Sequence, residues 1–166
     1  MSTQRDAPGV TSSDAELITT LASIPDRIAQ MIANVDENIA HRRLSSEEWC
    51  VVEVVVHLGD VERRYRARLK RIVTEDAPQV PAIWPRSMPD PLPLLPEALA
   101  DFRDERARTV AFLSALAPEA WERPAHHATL GATTVRKQVQ GLIAHDEDHL
   151  RQIVQAMQMV SKRPNA

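Results

Sequence analysis

Hydrophobic side chains recur at intervals of three and four residues over four long stretches, the spacing that gathers them on one face of an α-helix. The first stretch begins at Ser13 and Asp14, whose short side chains suit a helix N-terminus, and reaches Val35. Within it, Pro25 removes one backbone hydrogen bond and is predicted to kink or restart the helix. A short extra helical turn is predicted over 36–41.

Three further long helices are predicted at 50–72, 96–116 and 134–161. The first of these is the strongest pattern, because its helical period continues for about six turns without a turn signal. Residues 78–96 are rich in proline, which lacks the amide donor of regular structure, so we predict a long connection there. Residues 119–131 are predicted to form another loop.

Four amphipathic helices and no predicted sheet favour an all-α fold, a four-helix bundle with a long proline-rich connection between its second and third helices. The chain has 166 residues, of which 43% are hydrophobic and only four are glycine, a composition that suits a helical domain with a sizeable core. We expect residues 1–12 to form a flexible N-terminal tail and residues 13–161 to form one domain.

The net charge of −3 gives no positive surface for a polyanion, and the locally basic stretch 63–71 is interpreted as a solvated helix face. Cys50 is the single cysteine and cannot form an internal disulfide; we interpret it as a small packing residue. No signal-peptide pattern and no apolar run long enough to span a bilayer is found. We therefore expect a cytoplasmic protein without a nucleic-acid or membrane partner.

Three histidines carry the chemistry that the sequence suggests. His145 and His149 are four residues apart on the inward face of the last predicted helix, and His57 lies on the second. Two interpretations stay open: hydrogen-bonded core histidines, or ligands of one metal ion. Asp146 follows His145 where the zinc proteases with a His-Glu-x-x-His helix carry glutamate, which counts against a protease of that type.

Carboxylates lie one helical turn on either side of His57, at Glu53 and Asp60. Either could accept the proton on the second ring nitrogen of His57 and so orient the first nitrogen toward a metal. Three neutral imidazoles suit zinc, nickel, iron or copper, and they leave coordination positions open for water or substrate, as catalytic sites do.

Other polar and aromatic residues are candidates for the surroundings of such a site. Arg106 falls on the inward face of the third helix and needs a carboxylate partner; we favour Asp146 or another inter-helix acid over a substrate carboxylate. Trp84, in the proline-rich connection, is predicted at the mouth of a pocket. His126 and His127 lie in a polar stretch and are expected to be exposed.

In these motifs the chain resembles the DinB superfamily, over residues 17–157. The matching segments are Trp49–Glu62, Phe102-x-x-x-Arg106 and His145-Asp146-x-x-His149-x-x-Gln152. The resemblance implies a four-helix bundle in which His57, His145 and His149 hold a divalent metal, with zinc or nickel first and iron or copper next. It also implies a homodimer.

Characterised relatives in this superfamily include thiol S-transferases and isomerases that use mycothiol, bacillithiol or glutathione. The resemblance thus implies a metal-dependent thiol S-transferase or hydrolase that acts on a small electrophilic molecule. Two alternatives stay open: a non-catalytic, stress-associated dimer that binds metal, and a helical bundle without metal. Cys50 departs from the serine that relatives usually carry at the start of the second helix, and a thiol is a weaker acceptor, so we expect a looser helix start.

Overall fold

The computed structural model describes residues 13–43 and 45–162, with side chains up to residue 159. The predicted flexible tail therefore lies outside the described residues. The helices are α1 (Asp14–Ile32), α2 (Glu37–Ala40), α3 (Val51–Thr74), α4 (Leu95–Ser114) and α5 (Val135–Lys162), and a 3-10 turn covers Pro118–Glu122. The strands are β1 (Gln79–Val80), β2 (Pro124–His127) and β3 (Gly131–Thr134).

The helix ends follow the chemistry of their terminal side chains. Ser13 accepts a hydrogen bond from the Glu16 amide, and Glu16 accepts one from the Ser13 amide, which gives α1 a complete capping box. The carboxylate of Glu53 accepts a 2.9 Å hydrogen bond from the Cys50 amide, so the first turn of α3 is closed by glutamate. The hydroxyl of Thr134 accepts from the Lys137 amide at the start of α5. Contrary to one expectation, α1 is not restarted at Pro25 but continues through it.

The four long helices form the predicted bundle. Helix α3 packs against α4 and α5, and α1 packs against the same two helices, so α1 and α3 lie diagonally across the bundle. This arrangement makes α3 and α5, which carry the three candidate histidines, direct neighbours. The interior is mostly apolar, and Cys50 is buried in it as predicted. The all-α four-helix bundle is thus confirmed.

A three-stranded sheet is the main departure from the sequence prediction. Strands β2 and β3 form an antiparallel hairpin, and β1 pairs in parallel with β2. The expectation of no sheet, and of loops over 78–96 and 119–131, was therefore wrong at these strands. Pro78 does not prevent the pairing, because it contributes only its carbonyl oxygen, which accepts a 2.9 Å hydrogen bond from the His126 amide. None of the helices in the described residues is both apolar enough and long enough to cross a bilayer.

Candidate functional site

The three candidate histidines converge between α3 and α5. The Nε2 atom of His145 lies 3.2 Å from Nε2 of His57 and 3.1 Å from Nε2 of His149. One nitrogen from each ring can be chosen so that all three lie within 4.8 Å of one another. The one-turn separation on α5 and the packing of α3 against α5 thus bring together the residues that the sequence singled out.

The rings are held on one side by an aromatic wall. The indole of Trp49 lies 4.8 Å from the His57 ring and stacks on His149 at an interplanar angle of 14°. His57 is 6% exposed, whereas His145 and His149 are partly exposed. The cluster is therefore packed from behind by Trp49 but keeps access to solvent on the α5 side.

In two of the rings the group that faces the second nitrogen favours one tautomer. His145 Nδ1 lies 3.3 Å from Asp146 Oδ1, and His149 Nδ1 lies 2.7 Å from Gln152 Oε1. Both oxygens are acceptors, which favours a proton on each Nδ1 and a lone pair on each Nε2 toward the cluster. The sequence motif contains Gln152 but does not reveal its role, because its contact with His149 depends on the rotamers of both side chains.

A buried ion-pair network stands behind the cluster. Arg106 donates to Asp146 Oδ2 over 2.5 Å, to Glu62 Oε2 over 2.7 Å, and to the Leu21 carbonyl over 3.2 Å. All three charged side chains are almost completely buried. The predicted pairing of Arg106 with Asp146 is present, and Glu62 is an additional partner that sequence reasoning missed. Burial raises the pKa of Glu62, and the Arg106 charge beside it opposes this shift.

The two carboxylates expected to orient His57 have other partners. Glu53 is buried and forms a bidentate ion pair with Arg43, in which the Nε–Oε2 distance is 2.7 Å. Asp60 pairs with Arg64 on the next turn of α3. Because Glu53 is used for closing the helix start and Asp60 for a surface pair, neither binds His57, and that expectation is corrected.

Burial favours the neutral form of two rings of the cluster. It lowers the pKa of His57 to about 3, with the charges of His149 and His145 acting in the same direction. Burial and the neighbouring His145 also lower the pKa of His149. Neutral imidazoles are the form in which histidine binds a metal ion, so two of the rings are ready to act as ligands at neutral pH without first losing a proton.

A cavity of about 410 Å³ opens in front of the histidines. Its remaining wall is mostly apolar and aromatic and comes from α3, the proline-rich connection and β2; the lining residues besides the histidine cluster are Trp49, Val61, Tyr65, Arg68, Ala82, Ile83, Trp84, Pro85 and His127. Trp84 is 71% exposed and belongs to this wall, at the mouth where the sequence predicted it. Arg64 donates a 2.7 Å hydrogen bond to its carbonyl and so ties the connection to α3.

One histidine of the polar stretch is buried in the cavity wall. His126 is exposed as expected, whereas His127 is buried, contrary to expectation. The two side chains point to opposite faces because they are consecutive in strand β2, which sequence reasoning took for a loop. The Nδ1 atom of His127 accepts from the Thr129 amide over 3.2 Å. Burial lowers the pKa of His127, and the charge of Arg68 acts in the same direction.

Comparison with known proteins places this site in a family context. The family model of the DinB superfamily matches residues 20–153. A structure with a similar fold is that of YfiT from Bacillus subtilis, described as a probable metal-dependent hydrolase with an unusual four-helix bundle topology. The two chains share 20% sequence identity and a TM-score of 0.77, and the match covers 96% of this chain and 95% of YfiT. No curated protein matches the sequence significantly. Because the family model extends from α1 to α5 and includes all three clustered histidines, the chain belongs to the DinB superfamily.

Proposed function

We propose that the chain is a metal-dependent enzyme whose divalent ion is bound by His57, His145 and His149. The observation that carries this proposal is the contact between unprotonated nitrogens. Nε2 of His145 and of His149 lie 3.1 Å apart, although the acceptors beside Nδ1 of each ring favour a proton there. Two lone pairs at that distance repel each other, and a cation between them turns the repulsion into coordination. The donor set of three imidazoles suits zinc or nickel first, and iron or copper next.

The open cavity favours a catalytic role for such a centre over a purely structural one. A structural zinc site is closed by four protein ligands, whereas a catalytic site has three and keeps a position for water or substrate. Here three imidazoles border a cavity of about 410 Å³, large enough for a small organic molecule. A bound divalent ion supplies Lewis acidity, which lowers the pKa of a coordinated water or thiol into the neutral range.

The surrounding residues have distinct roles in this proposal. Asp146 and Gln152 hold the Nδ1 protons of His145 and His149, so both rings keep their Nε2 atoms turned toward the metal position. Trp49 packs against His57 and excludes water from behind the cluster. The apolar wall of the cavity, including Trp84 at its mouth, receives the carbon skeleton of the substrate.

The reaction that we propose is attack of an activated nucleophile on a small electrophilic molecule. With water as the nucleophile the enzyme is a hydrolase, in line with the description of YfiT. With a low-molecular-weight thiol it is an S-transferase, the activity implied by the resemblance to the family. The non-catalytic alternative requires a site sealed by apolar side chains, and the cavity beside the cluster favours the enzyme.

Metal content is the first test. Protein purified without a histidine tag is expected to bind about one transition-metal ion per chain, measured by elemental mass spectrometry. His145→Ala is expected to lose this metal, and His126→Ala is the matched control, because it removes an exposed imidazole that is not part of the cluster. Absence of metal from the wild type after incubation with zinc and nickel would contradict the proposal.

Activity is then measured with water and with thiols as nucleophiles. The zinc-loaded protein is tested on a panel of chromogenic esters, and on chlorodinitrobenzene with and without glutathione, bacillithiol or mycothiol. We expect turnover that is lost on chelation and in His145→Ala but retained in His126→Ala. Metal binding without turnover on any electrophile would favour the non-catalytic metal-binding alternative.

Two further features remain part of the proposal. Family resemblance suggests a homodimer, which light scattering coupled to gel filtration tests directly. The unpaired cysteine Cys50, buried in the bundle, is compatible with the reducing cytoplasm that we propose as the location.

A further inference from the structure

Among the residues that the structure describes, the hydrogen-bond partners of the buried cation Arg68 are all neutral. Its side chain lies on α3 and is 6% exposed. Nη1 donates to Gln138 Oε1 over 2.8 Å, and Nη2 donates to the Pro81 carbonyl. Burial lowers the pKa of this guanidinium, Tyr65 opposes the shift, and the nearby Arg64 charge acts in the same direction as burial. The environment thus disfavours the charge that Arg68 carries.

Comparison with other arginines of the bundle shows how unusual this placement is. Arg106, which is buried more deeply, has two carboxylate partners, and Arg66, two residues before Arg68 on α3, pairs with Glu105. Within the residues that the structure describes, Arg68 forms no ion pair with any carboxylate. A buried charge without a counter-charge costs several kcal/mol. A counter-ion from outside the chain would therefore stabilise the folded protein.

Arg68 lines the same cavity as the histidine cluster. His57, Val61, Tyr65 and Arg68 all line it, and their spacing places them along one face of α3. Arg68 Cζ lies 4.8 Å from the centre of the Tyr65 ring, three residues toward the N-terminus, so the side chain leans back toward His57. At 1.5 Å per residue, the eleven positions from His57 to Arg68 span roughly 16 Å along the helix axis, and the backward lean of the side chain shortens the distance from the guanidinium to His57.

We infer, on the basis of the metal centre proposed above, that Arg68 binds a carboxylate at the far end of the substrate. One guanidinium carries a single positive charge, and it matches a carboxylate in charge and in planar geometry. Gln138 and Pro81 each accept from one of its five N–H groups, the Tyr65 hydroxyl lies within reach of another, and the remaining groups can donate to a ligand. His127, the neighbouring titratable group in the wall, is neutral at pH 7 and does not add a second cation.

The inference makes the substrate class more specific. Between the two polar ends, the cavity wall is formed by apolar and aromatic side chains such as Val61, Ile83 and Trp84. The expected ligand is therefore a small elongated molecule with a reactive or metal-binding group at one end, an apolar middle, and a carboxylate at the other end. An ion pair between this carboxylate and Arg68 would fix the position of the reactive group relative to the metal.

A matched pair of thiols tests this inference. Binding of mercaptohexanoate and of mercaptohexanol to the zinc-loaded protein is measured by calorimetry; both present a thiol to the metal, and only the first carries a carboxylate. We expect the acid to bind about tenfold more tightly than the alcohol in the wild type, since a charge-assisted hydrogen bond is lost with the alcohol. The preference should fall to less than about twofold in Arg68→Gln.

Two control variants accompany the measurement. Arg71→Gln removes an exposed arginine of the same helix that pairs with Glu75, and it should keep the preference for the acid. Arg68→Lys preserves the positive charge and should keep part of that preference, which separates charge recognition from a general loss of packing. Equal affinity for acid and alcohol in the wild type, or an unchanged preference in Arg68→Gln, would overturn the inference.

The test also separates this inference from the proposed metal centre. Zinc content is measured for every variant, so failure of zinc loading is recognised as failure of the metal centre and not of the carboxylate site. In that case hexanoate and hexanol are compared with the metal-free protein by thermal shift. A selective stabilisation by hexanoate that disappears in Arg68→Gln supports the carboxylate site, and its absence in the wild type overturns it.

Discussion

Arg106 Nη2 donates a 2.5 Å hydrogen bond to Asp146 Oδ2 in the buried interior of the bundle. The other oxygen of this carboxylate lies 3.3 Å from His145 Nδ1. The buried carboxylate of Asp146 therefore forms the ion pair that joins α4 to α5, and it also orients a candidate metal ligand. Changes to Arg106 and to Asp146 should consequently affect stability and metal binding to different extents.

Arg106→Met should destabilise the protein strongly. The substitution conserves most of the side-chain volume but leaves the buried Glu62 and Asp146 without their counter-charge. We expect the free energy of unfolding, measured in urea, to fall by about 3–5 kcal/mol. Arg103→Met on the same helix removes an exposed pair with Asp26 and should cost about 0–1 kcal/mol. Similar losses in the two variants would show that the buried network does not stabilise the bundle.

Asp146→Asn should weaken metal binding. The amide removes the negative charge that favours a proton on His145 Nδ1, and with it the tautomer that leaves Nε2 free. We expect zinc affinity, measured by competition with a chelator, to fall by about 10- to 100-fold. Asp148→Asn is the control, since this exposed acid pairs with Arg151 on the surface of α5. Unchanged zinc affinity in Asp146→Asn would refute an orienting role.

The histidine cluster could be predicted from the sequence because it depends on local geometry. His145 and His149 are one turn apart, so any helix puts them on one face, and the period of α3 places His57 on its inward face. Helix ends were predictable for the same reason, since Ser13 caps a helix through residues only three positions away.

The features that the sequence did not reveal depend on contacts between distant segments. Pairing of β1 with β2 joins Gln79 to His126, and strands of two to four residues are too short to show alternation. Glu53 is paired with Arg43, ten residues away, and not with His57, which is only one helical turn away. Likewise, Arg68 is recognisable as an unpaired buried cation only once the fold has shown which carboxylates are out of its reach.

Gln152→Ala should lower zinc affinity by about tenfold. The side chain accepts a 2.7 Å hydrogen bond from His149 Nδ1, and its loss leaves that ring free to rotate or change tautomer. Gln155→Ala is the matched control, because Gln155 is exposed on the same helix. Both affinities are measured by the same chelator competition. Equal zinc affinity in the two variants would mean that Gln152 does not help to position His149.

The metal-free protein should lose stability as the pH falls below about 6.5, because burial holds the pKa of His57 at about 3 in the folded state. Between these two values the unfolded chain binds a proton that the folded chain does not, so stability present above pH 6.5 declines as the pH decreases. The slope from this one group reaches up to about 1.4 kcal/mol per pH unit.

Urea denaturation from about pH 7 to pH 5, above the range where most carboxylates titrate, should therefore show a shallower slope in His57→Gln than in the wild type. His126→Gln, which removes an exposed histidine, should keep the wild-type slope, and identical slopes in all three proteins would mean that His57 is not held neutral by the fold.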